Sequence, residues 1–389
     1  PQWQPLTDLS LDLLFQNDTL AMRSTAATLG QAKSNYIDAW FPALSEDARL
    51  YINADVQGEA AAVQQYLIHS GVADSVGSAM QALPLRHPLQ GAVQLVIPLD
   101  GSPVDLLGHV DFAGNELTVR DLGLSLSRLD GRLEFTQQET RFKGLTAAWL
   151  GQPVRLDYEG RQQGDSYLVD LQMDGIWSSA AATLPAGWQP VVQGRTPWQG
   201  KLQLTLQPQG YRYQGQWQSS LRGLALALPA PYTKAASDAR PFRLSARGDQ
   251  NASQLQAEWQ PGWRWQGDWL PAKQMFSRFW LGNQQLEPTG QTWAPFHLQL
   301  NFPELDADAW QAWWQRIQAA DASASTSSSQ LLSSLPVQRS WQLVVPKFRW
   351  QQQSWDKLTL SGRQEPPQPA WQLLANQVTA SARRQGTQP

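Results

Sequence analysis

Cysteine is absent from the 389 residues, which excludes disulfides and thiolate metal sites. No run of eighteen apolar residues occurs either, so nothing in the sequence spans a membrane as a helix. Charge is sparse: Asp, Glu, Lys and Arg make up 16% of the chain and the formal net charge is -3. That leaves no basic excess for phosphate contacts and argues against nucleic acid as a partner. The four histidines, His69, His87, His109 and His297, are scattered, and none has a ligand partner three or four residues away. There is no G-x-S-x-G elbow, P-loop or dinucleotide fingerprint. The sequence therefore offers no catalytic residue, no metal ligand set and no cofactor site, and reads as a non-enzyme. It starts Pro1-Gln2-Trp3, without Met or a signal peptide, and reads as a piece of something longer.

What is present is tryptophan and alternation. Twenty Trp stand against eight Tyr and eleven Phe, a composition suited to β-structure and half-wet apolar surfaces. The clearest alternation runs from Leu129 to Trp177. Leu133 and Phe135 point one way, with Arg132 and Glu134 opposite. Past a turn at Gly151-Gln152-Pro153, Val154, Leu156 and Tyr158 share a face, with Arg155, Asp157 and Glu159 on the other. Past a polar turn at 160–165, Tyr167, Val169, Leu171 and Met173 repeat the pattern. A side-chain period of two means a strand with one apolar and one wet face, and three in a row joined by Gly-rich turns make an antiparallel sheet.

The same period opens the chain at Leu9, Leu11, Leu13 and Phe15, with a turn at Asn17-Asp18. It recurs through Leu202, Leu204 and Leu206; Leu224, Leu226 and Leu228; Leu298, Leu300 and Phe302; and Trp341, Leu343 and Val345. Three stretches, LQGAVQL from Leu89, LDGRLEF from Leu129 and WQGKLQL from Trp198, each look like a strand entered through a Gly-permitted bend. Helix formers at 59–67 and 73–83 predict two short helices. Asp306 or Asp308 can cap a helix near 306–320 whose Trp310, Trp313, Trp314 and Ile317 lie on one side; packing is the favoured role for these indoles. The organisation expected is a first segment over 1–180, a connector over 181–197, a second segment over 198–375 with a flexible Ser-rich loop at 321–334, and a polar, frayed tail over 376–389.

An ordered set of motifs carries a resemblance. LGQPV at Leu150 to Val154 comes with the strands on either side of it. LRGLALALPAPYTK at Leu221 to Lys234, FHLQLNFPELDADAW at Phe296 to Trp310 and WQLVVPKFRW at Trp341 to Trp350 follow in order. With the opening stretch Trp3 to Met22, the set resembles the central part of a protein of the AsmA-like family of Gram-negative envelope proteins, to about residue 375. The resemblance implies a mainly β fold, a long curved antiparallel sheet forming an open hydrophobic groove of the bridge-like lipid transfer type, with a few short helices. It implies a periplasmic segment of an inner-membrane-anchored protein. The partners implied are phospholipids, and the inner and outer membranes reached through parts of the parent beyond this chain. The implied role is phospholipid transport that supports the outer-membrane barrier.

In such a groove the lining needs only continuous apolar cover. The candidates are Leu124, Leu126, Leu133 and Phe135, then Val154 and Leu156, then Val169, Leu171 and Met173. Leu202, Leu204 and Leu226 follow, then Leu298 and Leu300, and last Leu343 and Val345. Strands of six to nine residues, at ~3.3 Å per residue, would be about as long as an acyl chain. Two other readings remain open on the residues alone. Alternating leucines also pack the core of a β-sandwich, in which Trp259, Trp263, Trp265 and Trp269 would offer rings to a glycan. Alternatively the chain is an architectural scaffold acting through protein partners.

Overall fold

The computed structural model describes residues 5–43, 48–69, 85–119, 124–182, 184, 186–260, 262–283, 295–322, 335–336, 338–351, 353–364 and 379–384. The fold is mainly β, with two α-helices among the described residues, neither long and apolar enough to cross a membrane. The chain divides into two compact units. Unit 1 takes Pro1–Gly175 and Lys201–Tyr211; unit 2 takes Ile176–Gly200 and Arg212–Pro389.

Unit 1 holds β1 (Thr7–Gln16), β2 (Thr19–Leu29), β3 (Ala32–Ser34), β4 (Ile37–Phe41) and β5 (Arg49–Glu59), then α1 (Ala60–Ile68). After them come β6 (Leu85–Arg86), β7 (Pro88–Pro98), β8 (Asp105–Val119), β9 (Leu124–Thr136), β10 (Glu139–Trp149), β11 (Gln152–Gln163) and β12 (Ser166–Ser178). The later part of β13 (Val192–Gln207) belongs here too. Antiparallel pairing runs β1–β2–β4–β5–β7–β8–β9–β10–β11–β12. The register sets one row of side chains on a single face: Leu11, Ser24, Ile37, Ala54, Val93, Gly108, Phe135, Thr140, Gly160 and Val169. The opposite face carries the charges as direct cross-strand pairs. Arg132 donates to Asp111 at 2.6 Å, Arg141 to Glu134 at 2.9 Å, and Arg23 faces Asp38 at 3.7 Å. Exposed pairs of this kind add little stability, and they mark this face as the wet one.

Unit 2 holds the start of β13 with β14 (Gly210–Ser219), β15 (Leu224–Leu226), β16 (Phe242–Asp249), β17 (Ser253–Trp259), β18 (Trp263–Leu270), β19 (Met275–Gly282) and β20 (Phe296–Asn301). It ends with β21 (Glu304–Asp306), α2 (Ala307–Ala322), β22 (Arg339–Val345), β23 (Lys347–Trp350), β24 (Gln353–Gln364) and β25 (Thr379–Arg384). Strands β14, β16, β17, β18 and β19 pair antiparallel. Pairs β19–β20, β20–β22 and β21–β23 are parallel. This departs from the antiparallel sheet expected. Parallel neighbours need a crossover connection, and α2 lies in the connection from β20 and β21 to β22 and β23. Asp306 Oδ1 accepts from the Ala309 N–H at 3.0 Å and caps α2, while Asp308 accepts from the Gln351 N–H at 2.8 Å. Both carboxylates thus serve the backbone. Trp313 is buried and donates its indole N–H to the Ala227 carbonyl at 3.1 Å. It packs with Val191 and Ile317, whereas Trp314 remains 51% exposed. Lys234, 1% exposed, donates to the carbonyls of Leu221, Leu224 and Ala235 and fixes the turn after β15. Burial holds its ammonium below the usual lysine range.

The Gly-containing stretches are not strand entrances. Gly91, Gly131 and Gly200 lie inside β7, β9 and β13. At Gly91 the reason is crowding, since a Cβ there would stand 2.3 Å from the His109 carbonyl oxygen. Strands that pass through their glycines are longer than six to nine residues: β5 and β7 have 11 each and β13 has 16. The residues expected to form the 181–197 connector include a 3-10 turn at Ala186–Trp188 and the first residues of β13. Thr379–Arg384, expected within a frayed tail, pairs with β24. The second helix expected at 73–83 and most of the 321–334 loop lie outside the described residues.

Candidate functional site

A cleft of about 370 Å³ opens on the apolar face of unit 1. Its lining comes from β1, β2, β4, β5, β7, β8 and β9, with helix α1. Leu9 and Leu11 enter from β1, Met22 and Leu29 from β2, Ile37 and Ala39 from β4. Leu50, Ile52, Ala54 and Val56 enter from β5, Leu89, Val93, Leu95 and Ile97 from β7, Leu106 and Val110 from β8. Helix α1 contributes Val63 and Tyr66, one turn apart, and Phe135 arrives from β9. Gln90, Tyr66 and His109 are the polar residues among those lining an otherwise apolar wall.

Small residues make the space. The register row across the cleft alternates Ser24, Ala54 and Gly108 with Ile37, Val93 and Phe135. A Cβ on Gly108 would meet the Phe135 ring at 2.4 Å, so the missing side chain leaves room for that ring over its cross-strand partner in the cleft wall. Asn115, 0% exposed, braces the two strands beneath. Its side-chain amide N–H groups donate to the carbonyls of Arg86, His87 and Pro88 at 2.9, 3.2 and 3.1 Å, and its Oδ1 accepts from the Ala113 N–H at 2.9 Å. That residue holds the irregularity of β8 against the start of β7.

Of the candidate lining residues, Phe135 reaches this cleft. Leu126, Leu133, Val154, Leu156, Leu171 and Met173 occupy the same face farther along, in β9, β11 and β12, and are buried there. Leu124, Val169, Leu202 and Leu204 are half-buried. In this stretch one polar spot interrupts the face: the hydroxyls of Thr140, Tyr158 and Tyr167 hydrogen-bond one another above Gly160. Burial pushes both phenols above the ordinary tyrosine range, so they stay protonated. In unit 2, β20 and β22 bring Leu298, Leu300, Leu343 and Val345 together, while Leu226 sits on β15 against Val192. The lining from β2, β4, β5, β7 and α1 was missing from the sequence-derived set. Its signal was available, because Leu50 to Val56 and Leu89 to Ile97 carry the same period of two.

The indoles suggested for a glycan are spent on each other. Trp259 stacks on Trp263 with centroids 5.5 Å apart, Trp269 meets Phe276 at 5.0 Å, and Trp265 lies between Phe276 and Phe279. Phe279 in turn stacks on Phe296 at 5.1 Å. This face of unit 2 is thus aromatic where the cleft wall of unit 1 is aliphatic. On the opposite face of β20, His297 accepts or donates through Nδ1 to the Ser340 hydroxyl at 2.7 Å, and burial pushes its imidazole down to about 4.

Comparison with known proteins places this geometry in context. The family model described as YhdP protein matches residues 1–386. The intermembrane phospholipid transporter YhdP of Escherichia coli (strain K12) is 26% identical over 373 residues. The alignment covers 92% of this chain and 28% of that protein, so the chain spans under a third of its relative's length. No solved structure matches.

Proposed function

The chain belongs to the YhdP family, and from that premise we propose that it is a section of a conduit for phospholipid between the two membranes of the Gram-negative envelope. It works without catalysis. Acyl chains lie along the apolar face of unit 1, with the cleft as the open part, and headgroups stay at the wet margin. The sealed rows of β9, β11 and β12 continue that face, and tails pass there by parting side chains that otherwise meet. The section is periplasmic, belongs to a protein anchored in the inner membrane, and contributes to the outer-membrane barrier through the lipid it passes on.

The observation that carries this reading is the cleft, walled by aliphatic side chains in a relative of a phospholipid transporter. Its energetics suit the task. A two-chain lipid exposes about thirty methylenes, and at ~0.8 kcal/mol each its release into water costs on the order of 25 kcal/mol. A continuous oily surface removes that barrier and needs no specific pocket. It is passive, so direction comes from elsewhere.

Native mass spectrometry on protein purified in mild detergent tests it. Wild type is expected to retain species with phospholipid masses. Leu95→Asp, which puts a carboxylate into the aliphatic wall, is expected to lower retention at least about tenfold. A wild-type protein that retains no lipid, or folded Leu95→Asp and Val93→Asp variants that retain as much as wild type, would overturn the reading.

A further inference from the structure

Among the described residues, one face of the unit 2 sheet carries no charge until it reaches β22. One register row runs Gly215, Ala246, Leu255, Gly267, Phe279, Phe296 and then Arg339. Among the described residues Arg339 is the charged side chain on this face of β14, β16–β20 and β22. Its guanidinium lies over the Phe296 ring, 5.5 Å from the centroid, and Nε donates to the Pro336 carbonyl at 3.2 Å. No carboxylate pairs with it among the described residues. Arg264 and Arg349, on other surfaces of the same unit, both have acidic partners, Glu258 for the first and Glu304 with Asp306 for the second.

We propose that Arg339 is a phosphate station, where the phosphodiester of a glycerophospholipid docks while its tails lie on the neighbouring apolar rows. The chemistry favours a phosphate. A guanidinium carries five N–H donors in a planar fork matched to phosphate oxygens, and among the described residues one of them is used, by the Pro336 carbonyl. Its stack on Phe296, itself stacked on Phe279, fixes the fork in advance and lowers the ordering cost of binding. A half-buried cation on an apolar face gains from an anion far more than one in open water. The spacing fits as well. Two residues along the strands, roughly 7 Å, stands the cross-strand pair Leu298 and Trp341, and two residues farther the pair Leu300 and Leu343. A lipid whose phosphate met Arg339 would set its glycerol and first methylenes on those pairs. The station rests on the conduit reading and adds to it a place where the headgroup is read.

The test compares dioleoylphosphatidylglycerol with dioleoylglycerol, equal in tails and different in the phosphoglycerol headgroup, by native mass spectrometry on wild type, Arg339→Gln and Arg339→Lys. Arg339→Gln is expected to lose about tenfold in retention of the phospholipid and nothing for dioleoylglycerol, with Arg339→Lys between it and wild type. Equal loss of both lipids would make Arg339 a packing residue, and unchanged retention of both would remove it from binding; either overturns the station. Glycerol 3-phosphate is added as a competitor. If it displaces the lipid at the lipid's own affinity, the site takes a free phosphate and the lipid assignment is wrong. Wild type that holds neither lipid sinks the conduit reading and the station with it, whereas retention of both lipids without discrimination sinks the station alone.

Discussion

Asn115 shows how one side chain governs the cleft. Its amide serves three carbonyls of the Arg86–Pro88 turn and an N–H of its own strand, all away from water. Asn115→Ala strands those acceptors, and each unsatisfied buried group costs about 1–3 kcal/mol. The expected loss is therefore at least about 2 kcal/mol of unfolding free energy in urea titrations, with reduced lipid retention as β7 and β8 drift apart. A loss below about 0.5 kcal/mol would say that water reaches these carbonyls. Nothing in the sequence around GNELTV distinguishes this asparagine from a surface one. Its importance arises from β6 and the turn before β7, some thirty residues upstream in sequence. Leu156 and Leu171, by contrast, were legible as inward residues from period alone, and the register pairs their strands as that period requires. What the period could not tell is which part of the face stays open. Phe135 lies in the cleft and Leu133 is sealed, although both occupy the same side of β9.

Among elements, alternation located the strands well and glycine misled about where they begin. A glycine that admits a crowded cross-strand carbonyl, as at Gly91, gives the same sequence pattern as one that permits a bend. Helix α2 was legible from the spacing of Trp310, Trp313 and Ile317, and its consequence for the sheet also follows from physics. A helix between two strands of one sheet permits them to run parallel, and β20 with β22 does so. Trp313 ties that crossover to the rest of unit 2 through Val191, Ile317 and the Ala227 carbonyl. Trp313→Ala is expected to cost about 3–5 kcal/mol. It should loosen β20 and β22 before the antiparallel strands β16–β18. Hydrogen–deuterium exchange resolved by peptide checks this; uniform loosening of unit 2, or none, contradicts the crossover role.

At the scale of the molecule, abundant tryptophan pointed to β-structure, and the fold is mainly β. The ordered motifs pointed to the family that the whole-chain match establishes. The first-half location of the open cleft escaped the sequence because β9–β12 carry the more regular alternation, and regularity measures strand pairing, not accessibility. The two units differ in their apolar faces, aliphatic with a cleft in unit 1 and, among the described residues, aromatic with Arg339 in unit 2.

The measurement that bears most directly on the central claim is site-specific photo-crosslinking in cells carrying the full-length protein. A photoreactive residue replaces either Val93, whose side chain lines the cleft, or Gln94, its neighbour on the opposite face of β7. The account predicts a phospholipid adduct at position 93 and none at position 94. Protein adducts alone at position 93, or equal lipid labelling at both positions, would contradict it.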